Sequence, residues 1–396
     1  MQRNFSYLIL FLSIFIFASC SFLRQTKDSL SNQASTVVLF VPGFKGSTLV
    51  DEKHNTIWLS PREAIFGNTS LALPIPEIGM PSAPQLKADQ ILKNIVVIPW
   101  VYEFNAYKLF LNSLKERLTN EAELQEFPYD WRYGSAENSK KLFSRVLELR
   151  KSGRKKIIIV GHSMGGALVS YFLRYGEAPL PSAISDWSGA KLVDGVVIAA
   201  APFQGALSIF CDLQTGKDTA FNESLLSKDA LGSFPSSYEL LPNQNSILTD
   251  SDAINIFDLS FWSNNKLGLL KGKFPPALRV AREKYLQTQL LNSARFQALL
   301  FEPKADEVKL HIPLSNFIGI GFPVQSSTKL TEEDSLCGKG DFSDGDDTLT
   351  RASASLPAAF FDTFVTTSKE IKGRHAEILS TEPVLDAILE MSVKKN

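Results

Sequence analysis

Histidine and cysteine are both scarce in this chain, with four and three among 396 residues. No Cys/His cluster has metal-ligand spacing, which sets aside a structural zinc site. An excess of charge is missing too. Lys and Arg number 41 against 42 Asp and Glu, a formal net charge of −1. Without a basic stripe there is no electrostatic footprint for a nucleic-acid partner. The apolar run near the N-terminus, Tyr7 to Ala18, falls short of the roughly 20 residues that a bilayer-spanning helix needs. No internal repeat is found. What the chain does have is 44% hydrophobic residues and enough length for one large domain or two ordinary ones.

Arg3 followed by Tyr7–Ala18 reads as a targeting segment. It ends in Phe17-Ala18-Ser19-Cys20, which resembles a bacterial lipobox, with Phe17 where leucine is usual. On that reading residues 1–19 are a lipoprotein signal peptide, Cys20 is lipidated, and the polar stretch 20–35 is a tether. Acyl chains on Cys20 contribute roughly 0.8 kcal/mol per buried methylene, and two or more give stable anchoring. The protein is then expected to be exported and lipid-anchored in the bacterial cell envelope. An ordinary secretory signal cleaved nearby is the alternative, and would make it secreted. Cys211 and Cys337 remain. Export permits a disulfide between them, but their spacing does not demonstrate one.

The most informative stretch is Lys155–Gly166, KKIIIVGHSMGG. A β-branched run without alternation, Ile157–Val160, predicts a fully buried strand. A helix is predicted to begin near Met164, and the turn between them carries Gly161-x-Ser163-x-Gly165. A serine on so sharp a bend needs neighbours without side chains, which the glycines supply. The helix N-terminus behind it favours negative charge.

Around this stretch, strands alternate with helices. Thr36–Val41 is a buried strand ending at Pro42-Gly43-Phe44-Lys45-Gly46-Ser47. A turn of that composition exposes backbone N–H groups, the donors an acyl-transfer serine needs for an oxyanion. Met164 and Phe44 are the candidate donors. Residues 49–93 lack a regular pattern, and their apolar Leu71, Leu73, Ile75, Ile78 and Met80 fit either a packed core loop or a lipid-touching surface. A short strand is predicted over Asn94–Trp100, a helix carrying Tyr107, Phe110, Leu111, Leu114 and Leu118, a strand over 126–132, a helix over Ser139–Lys151 stopped by Gly153, and a strand over Val193–Ala200. From 205 to 310 the pattern loosens into a cap-like insertion, and strand character returns at Asn316–Gly321. The fold class is α/β, a mostly parallel sheet with helices on both faces. The core spans 36–204 and 311–396 and is interrupted by the cap.

A nucleophilic serine needs a base, and the base an orienting carboxylate. Only His311 and His375 follow Ser163. His311 sits in a strand-like context suited to a structural histidine. His375 lies in a loop entering the last helix and is the preferred base. The acid falls in Ser343-Asp344-Gly345-Asp346-Asp347. Asp346 is preferred, but spacing alone does not separate it from Asp344 and Asp347. Three aspartates in a glycine turn also suit calcium, although EF-hand spacing is absent.

Several separated segments together resemble the lecithin:cholesterol acyltransferase family of α/β-hydrolases: VPGFKGSTL, WLSP, FPYDWR, GHSMGG, APFQGA, FPSSYELLP, DGDDTLTRAS and HAEIL. They run in the family's order over about residues 38–380. The resemblance implies Ser163 as nucleophile, Asp346 as acid, His375 as base and Phe44 as an oxyanion donor. It places Trp58 in a lipid-contacting region after the first strand and Tyr129–Arg132 in the strand and turn before the elbow helix. It implies acyl transfer from phospholipid through an acyl-enzyme, to water, an alcohol or a sterol, without a cofactor or metal. The implied partners are membrane lipids and the membrane surface, with no obligate protein partner. A purely hydrolytic lipase or esterase and a non-catalytic lipid-binding lipoprotein are the rival readings. The cap matches only around Phe234–Pro242, and the family's disulfide near the oxyanion turn has no cysteines here. Acceptor specificity is therefore not carried over.

Overall fold

In the computed structural model, residues 34–80, 85–93, 95–98, 102–104, 107–120, 122–217, 222–242, 246–248, 254–303, 308–329, 337 and 340–393 are described. The expected signal peptide over residues 1–19, Cys20, Pro81, Asn94 and Trp100 lie outside them.

Six strands build the central sheet: β1 (Thr36–Val41), β2 (Ala122–Glu126), β3 (Lys156–His162), β4 (Gly195–Ala199), β5 (Pro313–Ile320) and β6 (Val365–Lys372). All pairings are parallel, in the order β6-β5-β4-β3-β1-β2. Strands buried on both faces read as continuous apolar runs, and β1 and β3 do so. Every residue of β1 is buried, as is every residue of β3 after Lys156. Helices cover both faces: α1 (Lys108–Arg117), α2 (Ser135–Lys151), α3 (Met164–Tyr175) and α5 (Glu382–Val393), with α4 (Pro276–Phe301) in the insertion. Odd and even residues of β1 feed different cores. Val37, Leu39 and Val41 pack on the α2–α3 side, and Val38 and Phe40 on the α1–α5 side. This is an α/β-hydrolase fold.

The unpatterned 49–93 stretch includes a three-stranded antiparallel sheet formed by Ser47–Val50, Thr56–Trp58 and Lys87–Ile91. Its strands are too short for periodicity to reveal. Leu71, Leu73, Ile78 and Met80 are buried in the main core, so the core-loop reading holds for them. Trp58, expected at a lipid surface, is also buried. It packs edge-on against Trp131 at a centroid distance of 5.4 Å. The strand expected over 126–132 stops at Glu126; beyond it the chain is irregular, and Tyr129, Asp130, Trp131 and Arg132 are buried consecutively instead of alternating. α2 starts four residues earlier than expected, after Gly134. Its buried residues there, Ser135, Asn138 and Ser139, are polar, which hides the start from an apolar count. Gly153 follows at φ 88.

The insertion contains the 26-residue α4. Its inward face mixes Leu286, Leu290, Phe296 and Leu299 with buried Arg282, Gln289 and Ser293, while Val280 and Leu291 are exposed. The apolar period is therefore blurred. Cys211 and Cys337 form a disulfide with Cα atoms 5.9 Å apart. It ties the insertion to the segment before Asp346. No helix among the described residues is long and apolar enough to cross a membrane.

The insertion also latches onto α2. Glu239, buried at the end of the short helix Pro235–Glu239, accepts the Ser135 N–H at both carboxylate oxygens, 3.0 and 2.8 Å away. Burial raises its pKa to about 7, and the Ser135 bonds offset only part of this. The folded state thus holds this proton more tightly than the unfolded chain. The cost of ionising Glu239 is absent below pH ~4.5 and complete above pH ~7. Glu239→Gln should therefore gain stability relative to the native chain as pH rises from 5 to 8, by on the order of 3 kcal/mol at most. Urea midpoints at both pH values check this, and an unchanged difference between the two proteins would contradict it.

Candidate active site

The site forms where β1 and β3 end side by side. Their register pairs Val41 with Gly161, so the turns that follow meet. The approach leaves no room for side chains. A Cβ on Gly43 would lie 2.7 Å from the Ser163 Cβ, and one on Gly165 would collide with the carbonyl oxygens of Val41 and Pro42. Ser163 itself adopts φ 54, ψ −130. This is a costly conformation for a residue with a side chain and is typical of functional positions. Its N–H donates to Ala199 O at 2.9 Å, which holds the bend against β4.

His375 lies in the loop after β6. Its Nε2 is 2.9 Å from Ser163 Oγ, and its Nδ1 is 2.8 Å from Asp346 Oδ2. A carboxylate only accepts, so Nδ1 carries the proton and Nε2 is free to accept from the serine hydroxyl. Asp346 is fully buried. Its Oδ1 accepts the N–H groups of Thr348 and Leu349 at 3.0 and 2.6 Å, leaving Oδ2 for the imidazole. The His375 N–H donates to Asp346 O at 2.8 Å, so backbone and side chain join the two loops together.

The other candidates fall elsewhere. Asp344 accepts the Gly321 N–H at 2.7 Å, and Asp347 pairs with Arg374 at 2.6 Å. Among the described residues no carboxylate, histidine or cysteine cluster is arranged to hold a metal ion. His311 is exposed and precedes β5 instead of lying in a strand. The structural role expected for it has no basis there. Phe44 lines the cavity at Ser163, and Met164 opens α3. The N–H groups of Phe44 and Met164 appear in no turn hydrogen bond among the described residues.

Sequence reading missed what holds the oxyanion turn. Tyr129 Oη donates to Pro42 O at 2.8 Å, Ser47 Oγ accepts the Tyr129 N–H at 3.1 Å, and Trp131 Nε1 donates to Ser47 O at 3.0 Å. The FPYDWR segment therefore grips the turn at both ends. Arg132 pairs with Asp130 in the interior at 2.7 Å and donates to Leu71 O at 3.1 Å. Phe44 and Phe234 pack edge-on against Trp131, which brings the insertion's matching motif onto the same support.

A second unforeseen feature is a chain of hydrogen bonds. The Gly43 N–H donates to Tyr107 Oη at 2.9 Å. Tyr107 Oη lies 3.0 Å from His162 Nδ1, and His162 Nε2 lies 3.0 Å from His375 O. A carbonyl only accepts, so His162 Nε2 is the donor and its Nδ1 accepts from the tyrosine. Burial, then the charge of nearby His375, pushes the His162 pKa down to about 3, so the ring stays neutral. Burial likewise holds Tyr107 protonated, with its pKa well above the usual tyrosine value. The chain links the oxyanion turn to the backbone of the candidate base. The histidine of GHS was its one sequence signal.

Tyr107→Phe removes the bridging hydroxyl and strands two buried groups. The expected result is a fall in kcat of about 10- to 100-fold on a soluble ester with KM nearly unchanged. The expected loss of stability is about 1–3 kcal/mol. Steady-state kinetics with a thermal melt would check both, and an unaltered kcat would show that the chain has no part in turnover.

Residues 103–271 match the family model described as lecithin:cholesterol acyltransferase. Among curated proteins, an uncharacterized protein of Saccharomyces cerevisiae, YJR098C, is 24% identical over 246 residues, covering 61% of this chain. The chain spans about a third of that relative's length, 34%. Among solved structures, the Tle4–Tli4 complex aligns over 91% of this chain and 99% of that one, with a TM-score of 0.53 at 12% identity. The Bacillus licheniformis lipase BlEst2 in mature form aligns over 90% and 92%, with a TM-score of 0.36 at 14% identity. The first structure shows a shared fold; the second likeness is weaker. Over residues 103–271, on an α/β-hydrolase core, the resemblance to the lecithin:cholesterol acyltransferase family is borne out.

Proposed function

We propose that the protein is a serine-dependent lipid acyl-ester enzyme that takes acyl groups from phospholipid and passes them to water, an alcohol or a sterol. The observation that carries this is the line Ser163–His375–Asp346, with bonds of 2.9 and 2.8 Å, opening onto a cavity of about 560 Å³. Its wall includes Trp58, Leu92, Ile209, Leu226, Leu240 and Leu349, a surface suited to acyl chains.

In this reading His375 Nε2 takes the Ser163 proton as Oγ attacks the ester carbonyl. Asp346 fixes the imidazole tautomer and stabilises the imidazolium. The N–H groups of Phe44 and Met164 receive the oxyanion, and losing one such donor typically costs about 100- to 1,000-fold in rate. The imidazolium returns its proton to the leaving alcohol, and the acyl group stays on Ser163. Water or an acceptor alcohol then attacks, with His375 as base again. No step calls for a cofactor. The leader with Cys20 supports an envelope location in which membrane lipid is the substrate at hand. Hydrolysis without transfer is the second reading, since water enters wherever an acceptor does not.

The test is product analysis by mass spectrometry. Purified protein and Ser163→Ala are each given phospholipid vesicles containing a sterol or long-chain alcohol. New ester absent from the variant would establish transfer. Free fatty acid with lysophospholipid alone would leave a phospholipase. Equal product from both proteins would overturn the assignment of Ser163, and no product with native protein would favour a lipid-binding role.

A further inference from the structure

Four charged side chains line the cavity beside Ser163: Lys45, Asp212, Lys217 and Asp347. Three of them are already engaged. Asp347 lies 2.6 Å from Arg374, and Asp212 lies 3.6 Å from Lys217. Lys45 differs. Its ammonium sits 5.4 Å from the centre of the Phe44 ring. Among the described residues no carboxylate oxygen lies within 4.0 Å of it.

The backbone fixes where this charge stands. Lys45 occupies the oxyanion turn directly after Phe44, at φ 65. Its carbonyl accepts the Trp58 indole N–H at 2.9 Å, and the turn is closed by Gly46 N–H to Gly43 O at 3.0 Å. The Lys45 side chain is half-buried. Burial and the like charge of Lys217 bring its pKa down to about 8, with Asp212 offsetting only part. A partly desolvated cation that no carboxylate among the described residues contacts within 4.0 Å gains from any anion that enters beside it. In a glycerophospholipid the phosphodiester follows the scissile ester by a few bonds of the glycerol. A carbonyl oxygen directed at the Phe44 N–H therefore brings the phosphate alongside the next residue of the same turn.

We propose that Lys45 forms a phosphodiester subsite that selects glycerophospholipids over phosphate-free glycerol esters. This rests on the reading that Ser163 attacks lipid esters. It adds the part of the substrate that the site distinguishes.

The test compares kcat/KM on dioleoylphosphatidylglycerol and on dioleoylglycerol, both in mixed micelles with the same neutral detergent, for native protein, Lys45→Gln and Lys45→Arg. The ratio of the two values should fall about tenfold in Lys45→Gln and recover in Lys45→Arg, which keeps the charge. An equal loss on both substrates would mean that the residue only supports the turn, and would overturn the proposal. So would a ratio in Lys45→Gln equal to that of native protein. If native protein cleaves dioleoylglycerol but not the phospholipid, the phospholipid reading itself fails, separately from the role of Lys45.

Discussion

The close approach of two turns, one after β1 and one after β3, is the constraint on which the rest of the site depends. Gly43 lies against Ser163, and Gly165 lies against the carbonyls of Val41 and Pro42. Neither turn has slack to absorb a side chain, so each fixes the position of the other. The parallel register of Val41 with Gly161 delivers both to the same point. Phe44, Met164 and Ser163 are thus placed by the sheet itself, and the loops after the far strands bring His375 and Asp346 to them.

Two layers of support stand behind that contact. On one side FPYDWR holds the turn through Pro42 and Ser47. The insertion rests on FPYDWR in turn, through Ser236 Oγ, which donates to Arg132 O at 3.2 Å, and through Phe234 against Trp131. On the other side Tyr107 and His162 run from Gly43 to His375 O. Polar chains in a low-dielectric interior rigidify only when every member is satisfied. Here each donor has one acceptor, and a single tautomer of His162 fits. The acid loop is tied in separately, since Ser353 Oγ donates to Gly205 O at 2.6 Å and thereby joins DGDDTLTRAS to APFQGA.

Much of this was legible in sequence where chemistry and local pattern coincide. The buried strands, the Gly161-x-Ser163-x-Gly165 turn and the order of Ser163, Asp346 and His375 each leave a local signature, and the structure brings those three side chains together. The choice among Asp344, Asp346 and Asp347 needed the structure, because it depends on which carboxylate turns inward between Thr348 and His375. Tyr107 carried no signal beyond a place in an amphipathic helix; its partners lie at 43 and 162, and a sequence does not display such distances. α4 was hidden because its buried face includes Arg282, Gln289 and Ser293. The three-stranded sheet near residues 47–91 was hidden because strands of three to five residues leave too few alternations to read.

The bond between Cys211 and Cys337 closes a covalent ring around the insertion and β5. The Asp346 loop and His375 lie just beyond the ring, and Ser163 before it. A protease that cuts the chain once in a loop between the two cysteines therefore releases nothing: both fragments stay joined, Ser163 on one and Asp346 and His375 on the other. Such a nick would separate the fragments on a denaturing gel only after reduction.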